Sequence, residues 1–375
     1  MTDHRLTAPM SPLNVAGRPA ALRSRLEAVC RLLLVTKPAN LRWLTGFTAS
    51  NMAAAITPHS LVVATDRRYS EALGQHLEGA GIEAELRVGR DVVNLVLDAV
   101  LPDGELSTVG LEAHHITWQQ QQAVADRLDP GVSLVATDGL IERARLTKER
   151  GELDRLRRAA AIADHALATV MADLPSEVTE RQIARRLEEV MVDAGADEAA
   201  FPTIVAAGPN SARPHAVPSD RGLAAGDLLV IDIGARVDGY GSDMTRTFTV
   251  GSFTDQTEVL YEAVAQAQRV GVAAVAPGVA AKAVDAACRD YLEARGLGEE
   301  FTHGTGHGIG LEIHESPFLS SSNEDDVLAE AQVVTVEPGV YRPGVGGVRV
   351  EDSVVVTAEG CQPITLSPKD PLLIR

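Results

Sequence analysis

Residues 302–317 read T-H-G-T-G-H-G-I-G-L-E-I-H-E-S-P, with His303, His307 and His314 inside twelve positions and glycine at 304, 306, 308 and 310. Two histidines four apart would share a helix face, as in the zinc-binding H-E-x-x-H pattern, but glycine at every second position argues against a helix. In an extended chain His303 and His307 have the same parity and face one side, whereas His314 needs a turn or bulge to rejoin them. Glycine there would let another backbone, or a ligand, approach closely. A Gly-rich surface loop with solvated histidines is the plain alternative.

Four acids stand where a core should be. In G-D-L-L-V-I-D-I-G-A, Asp232 sits inside the apolar run Leu228 to Ile233, which marks a buried strand. An ionised carboxylate there is costly unless paired or bound to a metal. Asp243, in G-Y-G-S-D-M-T-R-T-F-T-V, directly precedes another strand-like run. Glu337 in V-V-T-V-E-P-G-V and Glu351 in G-V-R-V-E-D-S-V-V-V occupy apolar strand positions as well. Taken singly, each could be a salt-bridged core acid, with Arg246 or Arg349 as partner. Together, four negative charges call for divalent cations, and an oxygen-rich set with one imidazole suits two of them about 3.5–4 Å apart.

The elements that must position these groups fall into two parts. At 375 residues the chain is long enough for about two domains. Aromatic residues are 3% of it, so the core is expected to be mostly Leu, Val, Ile and Ala. From Ala20 to Leu146 short strands alternate with helices: L-L-L-V at 32–35, a hairpin across A-A-A-I-T-P-H-S-L-V-V-A-T, and an amphipathic segment from Arg67 to Glu78. Beyond it, Leu153, Leu156, Ala160, Ala163 and Leu167 form one helical stripe. Further helices are predicted near 178–193, 256–275 and 280–295, and strands at 203–206, 227–234, 245–250, 332–337 and 346–357. The expectation is a flexible tail over 1–19, an α/β domain over 20–146, and an α+β domain over 147–375 with helices flanking a largely antiparallel sheet.

A formal net charge of -18 disfavours nucleic acid and anionic membrane as partners, because both require a basic surface. Cys30, Cys288 and Cys361 are far apart and form no C-x-x-C pair, which suits a reducing compartment and implies no thiol site. The N-terminal M-T-D-H-R-L-T-A-P-M-S-P lacks the apolar run of a signal peptide, and no run of 18 apolar residues occurs. A cytoplasmic protein is expected.

On these residues the sequence resembles the pita-bread metallopeptidases, among them Xaa-Pro dipeptidase (prolidase), aminopeptidase P and methionine aminopeptidase. The resemblance implies five metal ligands, Asp232, Asp243, His307, Glu337 and Glu351, with Asp243 and Glu351 bridging two divalent ions, Asp232 chelating one, and His307 with Glu337 completing the other. Manganese is the first choice, with cobalt, zinc or iron as alternatives, and a water acidified by both ions would be the nucleophile. It also implies that His215, in N-S-A-R-P-H-A-V-P-S, contacts the scissile carbonyl, that His314 assists on the substrate side, and that His303 lines the pocket near the proline. Arg349 shares strand parity with Glu351 and would bind a substrate carboxylate or pair with an acid. His59, His76, His114, His115 and His165 match nothing and are expected at the surface.

The segment T-K-P-A-N-L-R-W-L-T-G-F, residues 36–47, is close to the N-x-x-Y-L-T-G-F of the prolidase and aminopeptidase P branch, with Trp43 in place of the commoner tyrosine. The implied architecture is a pita-bread catalytic domain behind a smaller creatinase/prolidase-type domain, and the implied partners are small peptide substrates and a second copy of the chain. The implied reaction is hydrolysis of the imide bond between an N-terminal residue and proline. Alternatives are an aminopeptidase of broader or methionine specificity, or a metal-free binding protein on the same fold.

Overall fold

The computed structural model describes residues 4–26, 28–101, 107–175, 177–369, 371, 373 and 374. The chain divides into two compact units, Pro12–Arg145 and Leu146–Arg375, with the stretch up to Ser11 grouped with the second. Among the described residues no helix is long and apolar enough to cross a membrane.

The first unit is a six-stranded sheet whose strands run in the order Glu85–Val88, Leu61–Thr65, Met52–Ile56, Leu32–Val35, Thr108–Glu112 and Ser133–Thr137. Leu32–Val35 is buried at every position, as a four-residue apolar run with neighbours on both edges must be. The helix Pro38–Thr45 starts on proline and stops at Gly46, which adopts the left-handed φ of 73° and donates its N–H to the Arg42 carbonyl. Trp43 is buried, with the Arg18 guanidinium 5.0 Å from its ring centre.

Among the described residues the second unit builds two large cores and a small cluster of Ile204, Ala206 and Ala216. Helices Arg150–Ala172 and Glu180–Asp193 cover a four-stranded sheet ordered Leu373–Ile374, Met244–Val250, Leu228–Ile233 and Ile204–Ala207. Helices Asp255–Ala274 and Ala281–Glu293 cover a five-stranded sheet ordered Glu315–Leu319, Gly306–Gly308, Val333–Val336, Asp352–Thr357 and Gly360–Pro363. A three-stranded and a two-stranded ribbon complete it, so the one antiparallel sheet of the sequence reading is resolved into four. Leu156, Ala160, Ala163 and Leu167 of the expected stripe are buried.

Two expectations are corrected. The segment 346–357 is not one strand: Gly346–Arg349 pairs with Gly339–Arg342, the chain breaks at Val350 and Glu351, and Asp352–Thr357 joins the larger sheet. The break arises because the Glu351 N–H leaves the ladder to donate to the Thr245 carbonyl at 3.1 Å. The tail expected over 1–19 is structured from residue 4, its first three residues lying outside the described ones. His4–Leu6 forms a 3₁₀ turn, Arg5 Nη1 reaches the buried Asp164 at 2.9 Å, and the Ser11 N–H donates to Asp154 Oδ2 at 2.9 Å. A helix already begins at Arg18.

Candidate metal centre

Backbone pairing brings the four acids and His307 to one place. Asp232 lies opposite Thr245 in the ladder between Leu228–Ile233 and Met244–Val250, and Asp243 immediately precedes the second of these strands. Glu351 sits in the strand break, where Thr245 Oγ1 donates to its Oε2 at 2.8 Å. Arg246, itself fully buried, donates to the Glu351 carbonyl and to Asp352 Oδ1. One carboxylate oxygen from each of Asp232, Asp243 and Glu351 lies within 4.8 Å of the others. Glu337 follows the strand Val333–Val336, and its N–H donates to the Thr305 carbonyl at 2.7 Å.

His307 is fixed by its neighbours. Its Nδ1 is 3.1 Å from the Gly308 carbonyl, which can only accept, so Nδ1 bears the proton and Nε2 is turned inward. There Nε2 lies 3.3 Å from Glu337 Oε1 and 3.6 Å from Asp243 Oδ2. A neutral ring would then point a lone pair at two carboxylates, an arrangement that requires a proton or a cation between them.

The site's electrostatics follow. Burial, then the charges of Glu351, Asp232 and Glu337, push Asp243 well above the usual carboxylate range. Burial and the neighbouring Glu337 and Asp232 do the same to Glu351. Asp232 is raised by burial against the opposing pull of Arg349. For Glu337 burial also pushes upward, but the hydrogen bond and charge of His307 hold it down at about 2. Asp232 Oδ1 and Glu351 Oε1 are buried without a hydrogen-bond partner. Such orphaned acceptors are rare and costly. The donor set of four carboxylates and one imidazole fits divalent cations, with the two orphaned oxygens as open ligand positions.

Above this cluster opens a cavity of about 930 Å³ whose wall includes Asp232, Asp243, His307, Glu337, His215, His303, His314 and Arg349. Thus all nine residues singled out from the sequence converge, eight on the cavity wall and Glu351 beside Asp232 and Asp243. His314 stands with its ring centre 4.3 Å from that of His307, the turn at 309–314 having restored it to the same side. His303 uses both ring nitrogens: Nδ1 meets the Gly304 carbonyl at 2.8 Å and Nε2 the Tyr341 hydroxyl at 3.0 Å. Arg349 Nη1 donates to that hydroxyl at 2.7 Å, and Arg349 Nη2 pairs with Asp232 Oδ2 at 2.7 Å. Arg349 is therefore an internal partner of an acid in the cluster. Of the five unmatched histidines, His59, His114, His115 and His165 are exposed. His76 is half-buried instead, with Nε2 2.8 Å from the Thr45 carbonyl and its ring against Phe47.

Tyr341 and Thr245, which tie Arg349 and Glu351 into the cluster, carry no sequence signal: each looks like an ordinary strand residue. Of the two roles expected for the glycines, close approach of another backbone or of a ligand, the first is met at Gly306 and Gly308. A Cβ at Gly306 would overlap the Thr335 carbonyl and one at Gly308 the Ser316 carbonyl, so these two admit neighbouring backbones. Only Gly304 and Gly306 of the four also line the cavity.

Residues 154–358 match the profile described as metallopeptidase family M24, and residues 18–147 that of the creatinase/prolidase N-terminal domain. An uncharacterized peptidase of Bacillus subtilis is 38% identical over 342 residues, 91% of this chain and 95% of that one. A Xaa-Pro dipeptidase of Pyrococcus furiosus is 41% identical over 233 residues, 62% of this chain and 67% of that one. Among solved structures, a Xaa-Pro dipeptidase from Bacillus anthracis superposes with a TM-score of 0.88 at 36% identity, covering 95% of this chain and 99% of that one. With both profiles matched in order and the whole architecture shared, the chain belongs to metallopeptidase family M24, as a pita-bread enzyme of its prolidase branch with a creatinase-type N-terminal domain.

Proposed function

We propose that this enzyme hydrolyses the bond between an N-terminal residue and proline in dipeptides or short peptides, using two divalent cations held by Asp232, Asp243, His307, Glu337 and Glu351. The observation that carries the reading is the pair of orphaned oxygens, Asp232 Oδ1 and Glu351 Oε1, beside an inward-facing His307 Nε2. The peptides named for the relatives above supply the substrate class. When bound, the cations neutralise the acids and activate a water for attack near neutral pH.

The chain's own residues supply the rest. Arg349 engages one oxygen of Asp232 and so leaves the other turned to the site. His215, on the cavity wall, is the donor to the scissile carbonyl oxygen as charge develops there. The proline nitrogen of the scissile bond bears no hydrogen and must gain a proton to leave as an amine. His314, exposed at the cavity beside His307, is placed to hold that proton. His303 has both ring nitrogens occupied and offers its ring as an apolar wall for the pyrrolidine. Manganese is the first candidate metal, a homodimer accompanies this reading by family likeness, and a cytoplasmic location by the spacing of the three cysteines. The test is a hydrolysis panel of Xaa-Pro, Xaa-Pro-Yaa and Met-Xaa peptides with each added metal. Release of free proline from Xaa-Pro is expected; cleavage of Met-Xaa alone would overturn the substrate class.

A further inference from the structure

A buried carboxylate outside the cavity ties down the loop that delivers His215 to it. Glu180 opens the helix Glu180–Asp193 and is fully buried. The helix N-terminus is capped by Thr179, whose side chain accepts from the Gln182 N–H, so the Glu180 carboxylate is directed elsewhere. It accepts from the Ala207 N–H at 2.7 Å, the Ser219 N–H at 2.9 Å and Ser219 Oγ at 2.6 Å. Asn210 Nδ2 lies 3.0 and 3.1 Å from its two oxygens.

These donors come from both ends of the segment 207–219, which beyond the short turn Gly208–Ala212 has no regular structure. Midway, Ser211 Oγ accepts from the Gly347 N–H at 2.9 Å, and Arg349 Nη1 reaches the Pro214 carbonyl at 3.2 Å, one residue before His215. His215 itself is exposed on the cavity wall, so side-chain packing contributes little to its placement. Its place is set by where the backbone is pinned.

We propose that Glu180 is the positioning residue for His215, closing the two ends of its loop on one carboxylate; this rests on the reading of His215 as the donor at the scissile carbonyl. An ionised carboxylate is acceptor-only, and that is what this site needs. Glu180→Gln keeps the shape but replaces one acceptor by an NH₂ group facing N–H and O–H donors, which loosens one loop end, while the pairing of Ala207 with Leu229 and the Arg181 N–H bond to the Ser219 carbonyl at 3.0 Å remain. Since a displacement near 1 Å can cost about 100-fold, kcat is expected to fall roughly 10- to 100-fold, with KM changed by less than about threefold. The loss cannot exceed that of removing His215 itself, roughly 100- to 1,000-fold for one oxyanion donor.

The test is a double-mutant cycle on the metal-loaded full chain, measuring proline release and bound metal for Glu180→Gln, His215→Ala and the double variant, with the exposed Glu189→Gln as control. Bound metal is expected to stay at the wild-type level throughout. In the His215→Ala background, Glu180→Gln should change kcat by less than about twofold, because the group it positions is gone. A full-rate Glu180→Gln, or losses that multiply in the double variant, overturns the positioning role while leaving His215 in place. A harmless His215→Ala instead sinks the reading of His215, and Glu180's role with it. Should Glu180→Gln fold poorly, Ser219→Ala removes one of the carboxylate's donors, together with the acceptor of the Arg221 N–H and Asn210 Nδ2, with an expected roughly threefold to tenfold loss that again vanishes without His215; additive losses there overturn the proposal equally.

Discussion

Removing a single oxygen atom, in Tyr341→Phe, probes the hydrogen-bond chain that crosses the site. The Tyr341 hydroxyl accepts from Arg349 Nη1 at 2.7 Å and donates to His303 Nε2 at 3.0 Å. The direction is forced: the guanidinium can only donate, and His303 Nδ1 must itself donate to the Gly304 carbonyl at 2.8 Å, leaving Nε2 to accept. Burial, opposed by Arg349, pushes the phenol up to about 12, so it keeps its proton throughout the working range. In the variant Arg349 retains Asp232, Thr245 Oγ1 at 3.0 Å and the Pro214 carbonyl, and is not orphaned. His303 Nε2 loses its donor, and an unsatisfied buried acceptor costs about 1–3 kcal/mol, while the ring itself still fills its space. Taking ~2 kcal/mol, the melting temperature should fall by roughly 4–8 °C for a domain of this size. A loosened His303 ring should raise KM for Xaa-Pro by up to about tenfold, one hydrogen bond's worth, with kcat within about threefold. Thermal scans and initial rates of the metal-loaded variant measure both. An unchanged melting temperature together with an unchanged KM would refute the view that Tyr341 holds His303 in place.

His215→Ala should lose roughly two to three orders of magnitude in rate and keep its metals, whereas His59→Ala, at an exposed position outside the cavity, should change neither rate nor metal content; equal behaviour of the two in a rate assay would remove His215 from the mechanism. In metal-free protein Asp243, Glu351 and Asp232 bind protons more tightly folded than unfolded, and so does His307, where burial is outweighed by Glu337, the Gly308 carbonyl and Asp232 together. Their folded-state protons are progressively lost above the ordinary carboxylate range, so stability falls as pH rises beyond that range. Glu337, held at about 2, is already ionised across that window and adds no slope. Melting curves of chelated protein should show the fall and added Mn²⁺ should abolish it; a metal-free melting temperature that climbs with pH would contradict the sign. Burial pushes the Cys30 thiol to about 11 and Cys288 to about 12, so iodoacetamide at pH 8 should label neither in the native protein, as mass spectrometry can read.

Much of the site was legible because it violates the pattern of the fold around it. A charged residue inside Leu228–Ile233, or at the end of Val333–Val336, stands out against apolar neighbours and needs a reason. Periodicity likewise located the helices Asp255–Ala274 and Ala281–Glu293 to within two residues. What stayed hidden depends on tertiary geometry that leaves no local mark. Tyr341 becomes part of the site only because Gly339–Arg342 folds back on Gly346–Arg349. The break at Glu351 depends on Thr245, more than a hundred positions away, accepting its N–H. The glycines at 306 and 308 read as room for another backbone or for a ligand, and only the fold shows that the carbonyls of Thr335 and Ser316 on adjacent strands are what they admit. The ordering of the chain before residue 19 was invisible for the same reason, since Arg5 finds its acid on a helix that begins at Arg150.

The central claim is that the carboxylate cluster is a cation site on which hydrolysis depends. Asp243 is its most connected member, within reach of Asp232 and Glu351 on one side and 3.6 Å from His307 Nε2 on the other. Elemental analysis of purified wild-type protein and of Asp243→Asn, each paired with a free-proline release assay before chelation, after chelation and after refilling with Mn²⁺ or Co²⁺, tests it most directly. Two divalent ions per wild-type chain, activity lost on chelation and regained on refilling, and a variant deficient in both metal and turnover are the predicted results. Full activity after verified metal removal, or wild-type turnover in Asp243→Asn, would contradict it.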